Sequence, residues 1–161
     1  MATTKSNLIT NLDAVPAVMN EVGKSGGRIR IAQDDFEVAT GNFQANDIVH
    51  LCRLPSNARI LQFKLYVDAA GGSCTTHAGL YTTAGAVVDI DFFATAVDIS
   101  SAVTGTDIRF EAANITTMSD RLWENAAASS DPGGHYDISL TCAANSASDF
   151  TCGFQIYYVV D

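Results

Sequence analysis

Short runs of alternating apolar and polar residues, separated by turn-forming residues, constrain the fold of this chain more than any other feature. The stretch Val49–Val67, VHLCRLPSNARILQFKLYV, contains two such runs on either side of the turn residues Pro55, Ser56 and Asn57. After the turn, every second residue is apolar: Leu61, Phe63, Leu65 and Val67. Because successive side chains of a strand point to opposite faces, a period of two predicts strands that bury one face.

The same pattern recurs along the chain and predicts roughly eight to ten short strands. For example, THAGLYTTAGAVVDI is typical of a strand, a turn at Ala84-Gly85 and a second strand. Many short strands with turn signals between them indicate a mainly all-β fold, either a β-sandwich or a jelly roll. One or two short helices and an extended N-terminal arm complete the prediction.

Two segments are candidates for the short helices. MSDRLWENAAASS has Ser119 as a possible N-cap, and its apolar face consists of Leu122, Trp123 and Ala126. DFFATAVDISSAV is ambiguous, and it forms a second helix if Asp91 is an N-cap. Trp123 either closes one end of a sandwich or marks an exposed partner surface.

The last two strands predict a specific hairpin. HYDISLTC and CGFQIYYVV both alternate, and a hairpin folded about Ala147 places Cys142 opposite Cys152 and Ile138 opposite Ile156. Two cysteines directly opposite each other lie near disulfide distance. The alternative is a pair of free buried thiols, which a reducing compartment favours.

The chain divides into an arm and a domain. Residues 1–27 form an N-terminal arm or a loosely attached first strand, and residues 28–161 form the β-sandwich domain. The arm ends at Gly26-Gly27, and its apolar side chains require cover from their own domain or from a neighbouring chain. These apolar residues are Leu8, Ile9, Leu12, Val15, Val18 and Met19.

Composition excludes several classes of partner. The formal net charge is −9, and the nine basic residues are scattered singly. Nucleic acids and anionic membranes attract clustered cations, so we expect neither partner. There is no apolar run long enough to span a bilayer and no signal-peptide pattern, so synthesis in a cytoplasm is expected.

No motif predicts catalysis, a cofactor or a metal. His50 and Cys52 have the i, i+2 spacing of two metal ligands on one strand face, but nothing supplies further ligands. Asp89 and Asp91 also share a strand face, without the pattern of a calcium loop. The GGSC stretch that ends at Cys74 is typical of a hairpin loop rather than of a reactive cysteine. The chain is therefore not expected to be an enzyme.

Four longer stretches point to a family. They are NLDAVPAVMNEVGKSGGRIRI, LCRLPSNARILQFKLYVDAA, AGLYTTAGAVVDIDFFATAVDISSA and LWENAAASSDPGGHYDISLT. In this order they resemble a family of small virion proteins of tailed bacteriophages, encoded beside the major capsid protein. The resemblance implies a decoration, or cement, protein on the capsid exterior. It further implies assembly in the host cytoplasm, the major capsid protein as partner, and a homo-oligomer, with a trimer favoured.

Two other functions remain open. One is a head–tail connector or tail component of the virion. The other is a carbohydrate-binding module, which requires exposed aromatic residues among Tyr81, Trp123, Tyr157 and Tyr158. In the decoration hypothesis, we expect five arm residues to contact the partner: Leu8, Ile9, Leu12, Val15 and Val18.

Overall fold

The structure, a computed structural model, describes residues 4–160. Residues 1–3 of the predicted arm and Asp161 of the predicted domain lie outside the described residues. The eight strands are β1 Arg30–Val38, β2 Ile48–Pro55, β3 Ala58–Val67, β4 Thr75–Thr82, β5 Val87–Asp98, β6 Val103–Asp107, β7 His135–Ala144 and β8 Phe150–Val160. The helices are α1 Asn7–Asp13 and α2 Leu122–Asn125, with 3₁₀ turns at Thr40–Asn42 and Ile115–Ser119.

The strands form two four-stranded antiparallel sheets. Their orders are β1-β8-β3-β6 and β2-β7-β4-β5. The hydrogen-bonded pairs include β1 with β8, β2 with β7, β3 with β6, and β4 with β5. This is the pairing of one long hairpin that is wrapped into two sheets. This connectivity is that of an eight-stranded jelly roll, and it confirms the predicted fold class.

The core lies between the two sheets. Phe63 of β3 and Phe93 of β5 meet edge to face across it, with ring centroids 5.8 Å apart. At one end, Phe43 and Phe150 make a second edge-to-face contact at 5.4 Å. Such aromatic pairs add to the stabilisation that comes from burying their apolar surface.

The predicted hairpin of the last two strands is wrong. Strand β7 lies in one sheet and β8 in the other, so Cys142 does not pair with Cys152. Cys152 pairs with Phe36 and Val67 instead, and Cys142 pairs with Thr76. Both cysteines are buried free thiols. The alternating patterns of β7 and β8 correctly predicted two strands. These strands face each other across the core, whereas the prediction placed them side by side in one sheet.

The helix predictions were partly wrong. DFFATAVDI belongs to β5, which pairs with β4, so Asp91 is not a helix N-cap. In the other segment, α2 has only four residues and begins after Arg121, while Ser119 ends a separate 3₁₀ turn. Leu122 is fully buried and Trp123 only half-buried, so the leucine fills the position predicted for the tryptophan.

A β-bulge turns Leu61, which was predicted to lie on the buried face of its strand, towards the surface. The register between β3 and β8 shifts between Ile60 and Gln62, which leaves Leu61 as the extra residue. Ile60 and Phe63 are buried on either side, and Leu61 is exposed. This exposed leucine contributes to the surface described below.

Part of the N-terminal segment, Asn7–Asp13, is helical, whereas the whole segment was predicted to be extended. Helix α1 lies within residues 4–29, and no strand occurs in that range before β1 begins at Arg30. None of the helices between residues 4 and 160 has the length and hydropathy needed to cross a membrane.

Candidate partner-binding surface

Helix α1 is capped by a side chain at its N-terminus and by the Ala14 backbone amide, which donates to the Asn11 carbonyl, at its C-terminus. The Ser6 hydroxyl accepts a hydrogen bond from the Ile9 amide at 3.5 Å, which makes Ser6 the N-cap. Lys5 and Asp13 form an exposed ion pair at 2.7 Å. A seven-residue helix is marginal by itself, so its position depends on the contacts that follow.

The segment after α1 folds back along it. The Val18 amide donates to the Asn11 carbonyl at 2.9 Å, and the Asn11 side-chain amide donates to Asn20 at 2.8 Å. Asn20 in turn donates to the Leu8 carbonyl at 3.2 Å. Residues 4–20 therefore form a small unit with its own polar contacts.

Glu21, the residue that follows this unit, forms ion pairs with the sandwich. The Arg59 guanidinium on β3 donates to Glu21 Oε2 at 2.5 Å, and Arg121 lies 3.7 Å from the same oxygen. The hydrogen bond from Arg59 is the main reason that the pKa of Glu21 is lower than usual. The arm is thus attached to the domain through Glu21, whose carboxylate neutralises the nearly buried guanidinium of Arg59.

Arg59 is one of two buried arginines that bind the 3₁₀ turn before α2. Arg59 donates to the Ser119 carbonyl at 2.6 Å, and Arg109 donates to the Thr117 carbonyl at 3.2 Å. Both therefore bind the 3₁₀ turn that precedes α2. The Arg109 guanidinium also lies 4.3 Å from the ring centroid of Phe110, and burial lowers the pKa of Arg109 to about 10. Sequence reasoning missed both arginines because isolated charges form no pattern.

The five arm residues predicted to contact a partner are all exposed in the chain by itself. Val15 is 98% exposed, which is unusual for a valine in a folded segment. Met19, at 87%, and Val22 add to this surface, although they were not among the five. We call this group the arm surface: Leu8, Ile9, Leu12, Val15, Val18, Met19 and Val22.

The arm surface has two parts. One part, formed by Leu8, Val18 and Met19, lines a cleft of about 560 Å³ between the arm and the sandwich. The exposed sandwich residues Leu61 and Met118 also line this cleft. Three predicted contact residues do not line this cleft: Ile9, Leu12 and Val15. These three side chains therefore lie outside the cleft and are candidates for a contact with another chain.

The predicted metal-ligand pair is not assembled. A register shift between His50 and Cys52 places Leu51 as an extra residue in β2, so the two side chains do not share a face. His50 Nδ1 lies 2.7 Å from the buried Ser139 hydroxyl, whereas Cys52 packs against the core. Between residues 4 and 160, no three His, Cys, Asp or Glu side chains form a cluster suited to a metal ion.

The predicted acidic pair is part of a hydrogen-bonded strand. Asp89 and Asp91 lie in β5, where Asp89 accepts a hydrogen bond from the Asp91 amide at 3.3 Å. Asp91 accepts a second hydrogen bond from the Thr95 hydroxyl at 3.1 Å. Burial is the main cause of the raised pKa of Asp89. Both carboxylates thus have partners within β5 itself.

The aromatic residues proposed for sugar binding have different positions. Tyr81 is completely buried and lies near Thr141 through its hydroxyl, so its prediction as an exposed aromatic is wrong. Trp123, Tyr157 and Tyr158 are half-buried. The structure adds Tyr66, which lies on the outer face of the β1-β8-β3-β6 sheet and was not among the candidates.

Two solved structures share this architecture. A chain in the capsid of Ralstonia phage GP4 aligns with a TM-score of 0.56 and 19% identity, over 82% of this chain and 85% of that chain. This chain has a fold found in phage capsid proteins. A chain of the cyanophage Pam1 capsid asymmetric unit aligns with a TM-score of 0.52 and 14% identity, over 92% and 97%. No family model and no curated protein sequence matches the chain.

Proposed function

We propose that this chain is a structural protein of a tailed-phage particle and binds the outside of the capsid as a decoration, or cement, subunit. The observation that carries the proposal is the exposed apolar arm surface on a jelly roll of a kind found in phage capsids. Large exposed apolar patches are typical of protein interaction sites. The major capsid protein is the proposed partner.

In this proposal the arm reaches a neighbouring subunit while the ion pair keeps its base in place. Glu21 binds Arg59 directly after the unit of residues 4–20, so that unit can contact another chain without detaching from the sandwich. The side chains best placed for this contact are Ile9, Leu12 and Val15, because they do not line the arm's own cleft. We propose a trimer, whose repeated copies on a shell would strengthen individually weak contacts.

Electron cryomicroscopy of purified virions tests the location. Density for this chain at the local three-fold positions of the shell is the expected result, and it would also reveal the oligomer. Density confined to the portal vertex would instead identify a head–tail connector or tail component. Absence of the chain from the virion would refute both structural roles.

A binding assay tests the arm surface. The variant combines Ile9→Asn, Leu12→Asn and Val15→Asn, and the matched control combines Val87→Asn with Ile115→Asn, which are exposed apolar residues outside the arm. We expect the arm variant to lose at least about tenfold in co-sedimentation with capsids that lack this chain, equivalent to about 1.4 kcal/mol. Equal binding by the arm variant and the control would show that the arm is not the contact.

A further inference from the structure

The outer face of the β1-β8-β3-β6 sheet contains a hollow centred on Gly153. In the sheet register, Gly153 lies between Asp35 of β1 and Tyr66 of β3. Thr151 and Gln155 precede and follow it on the same face of β8. Two adjoining depressions of about 460 and 300 Å³ meet here, and both are lined by Asp35, Tyr66 and Gly153.

Nothing within the chain requires a glycine at this position. A Cβ atom on Gly153 would lie 3.5 Å from the nearest atom, Tyr66 Cβ, which is an ordinary contact distance. By contrast, a Cβ on Gly79 would lie 2.2 Å from the Asp89 carbonyl oxygen, and Gly105 has a φ of +79°. A glycine inside a strand weakens it, and such glycines often mark the close approach of a ligand.

The polar groups around the hollow are held in place before any ligand arrives. The Tyr66 hydroxyl donates to Gln155 Oε1 at 3.1 Å, and Gln155 Nε2 donates to Gln33 Oε1 at 3.4 Å. One side of the Tyr66 ring lies against Gly105, where a Cβ would be 2.8 Å from a ring carbon. Each amide keeps further donor and acceptor capacity, because a primary amide has two N–H groups and two lone pairs.

The size and chemistry of the hollow indicate its ligand. Two strand spacings separate Asp35 from Tyr66, about 10 Å between their Cα atoms, which is enough for one six-membered sugar ring. Sugar hydroxyls both donate and accept hydrogen bonds, so they can bind the Gln33 and Gln155 amides and the Asp35 carboxylate. The C–H face of a pyranose can pack against the ring of Tyr66. Volumes of several hundred Å³ are typical of small-molecule sites.

The charge around the hollow restricts the charge that its ligand can have. The exposed carboxylates Asp34 and Asp35 lie on β1, and Asp68 lines the smaller depression. No cationic residue lines either depression, although Lys64 pairs with Gln155 in the sheet register just beyond them. An anionic sugar such as a uronate would be repelled, since like charges at this distance disfavour binding.

We propose that this hollow binds a neutral hexopyranose or N-acetylhexosamine unit of a glycan. The site is independent of capsid binding, because the arm surface and the hollow are formed by different residues. An open site of this kind binds a single sugar weakly, and many copies on one particle would provide useful avidity.

The test is a titration of the ¹⁵N-labelled chain followed by NMR. The probes are glucose, galactose, mannose, N-acetylglucosamine and N-acetylgalactosamine, with glucuronate as the anionic control, up to about 50 mM because millimolar affinity is expected. At least one neutral sugar should saturate shifts of the Gly153 backbone amide and of the Gln33 and Gln155 side-chain amides.

Three variants make the result specific. Gly153→Val fills the hollow and should weaken binding at least tenfold, while Gly153→Ala keeps the ordinary contact distance and controls for folding. Gly41→Ala is the matched control, because no atom lies within 4 Å of its added Cβ. The proposal is overturned if no neutral sugar shifts these amides, if glucuronate binds more tightly, or if the shifts persist in folded Gly153→Val.

Discussion

Arg59 is only 2% exposed, and its guanidinium donates to Glu21, a half-exposed residue of the arm, at 2.5 Å. The same guanidinium donates to the Ser119 carbonyl at 2.6 Å. One side chain of β3 therefore binds both the arm and the 3₁₀ turn before α2. Leaving a buried cation without its carboxylate is costly, so this contact couples the position of the arm to the stability of the domain.

Replacing Glu21 by glutamine should loosen the arm and destabilise the domain moderately. The amide keeps the shape of the side chain but removes the charge that Arg59 binds. We expect a loss of about 1–3 kcal/mol in the free energy of unfolding, the usual worth of a hydrogen bond to a charged group. Denaturant unfolding measures the loss, and limited trypsin digestion at Lys24 and Arg28 reports the exposure of the arm.

The control for this change is Asp13→Asn. Asp13 also forms an ion pair, with Lys5 at 2.7 Å, but both side chains are more than half exposed. Exposed pairs contribute about 0–1 kcal/mol, so this variant should unfold and digest almost like the native chain. Equal effects of the two substitutions would mean that burial of Arg59 does not matter.

Asp137 should make stability depend on acidic pH. Arg53 donates to both of its carboxylate oxygens, at 2.6 and 2.9 Å, and this pair is the main cause of the lowered pKa of Asp137. Because its folded pKa lies below the unfolded value of about 3.9, the unfolded state takes up the proton first as the pH falls. The contribution of Asp137 is therefore complete above about pH 5 and is lost as the pH falls through its folded pKa.

The variant Asp137→Asn tests this dependence. We expect it to be less stable at neutral pH by about 1–3 kcal/mol and to lose less stability between about pH 5 and pH 2 than the native chain. Some dependence should remain, because the pKa values of Glu21 and Asp149 are also lowered. Urea unfolding across this range is the measurement, and an unchanged acid slope would contradict the assignment.

The strands could be predicted from the sequence, but their pairing could not. Alternation is a local property, and it identified β3, β4, β7 and β8 directly. Pairing depends on distant residues: Val38 pairs with Phe150, for example, although more than a hundred residues separate them. The apolar pattern of β7 and β8 fits a hairpin and a face-to-face packing equally well, since both bury the same side chains.

The candidate surface was predictable to a similar extent. The arm residues were singled out as apolar side chains outside the strand pattern, and the structure leaves them exposed; their contact with a partner stays a prediction. The Glu21–Arg59 pair and the hollow at Gly153 depend on which strands become neighbours. The strand conformation of DFFATAVDI was likewise decided by pairing with β4, which overrides a weak local preference.

All four cysteines should be present as unreactive thiols. Cys74, Cys142 and Cys152 are buried, and burial raises the pKa of Cys152 to about 12. Since the thiolate is the reactive form, a chromogenic disulfide reagent at about pH 8 should react slowly with the folded chain. In denaturant without reductant, the reagent should detect all four thiols.

An exposed thiol controls for the reagent in this assay. Thr104 is an exposed residue of β6, and Thr104→Cys should react rapidly in the folded chain. Detection of only two thiols in the denatured native chain would reveal a disulfide and contradict the prediction.

Leu122, rather than Trp123, should account for most of the stability that α2 provides. Leu122 is fully buried in the core cluster, whereas Trp123 is half-buried and donates its backbone amide to the Ser56 carbonyl at 3.1 Å. Leu122→Ala leaves a cavity and should cost about 2–5 kcal/mol. Trp123→Ala should cost clearly less, because its backbone hydrogen bond remains and the residue is only partly buried. Thermal unfolding followed by circular dichroism compares the two variants without relying on tryptophan fluorescence. A larger loss from Trp123→Ala would mean that the tryptophan closes the end of the sandwich after all.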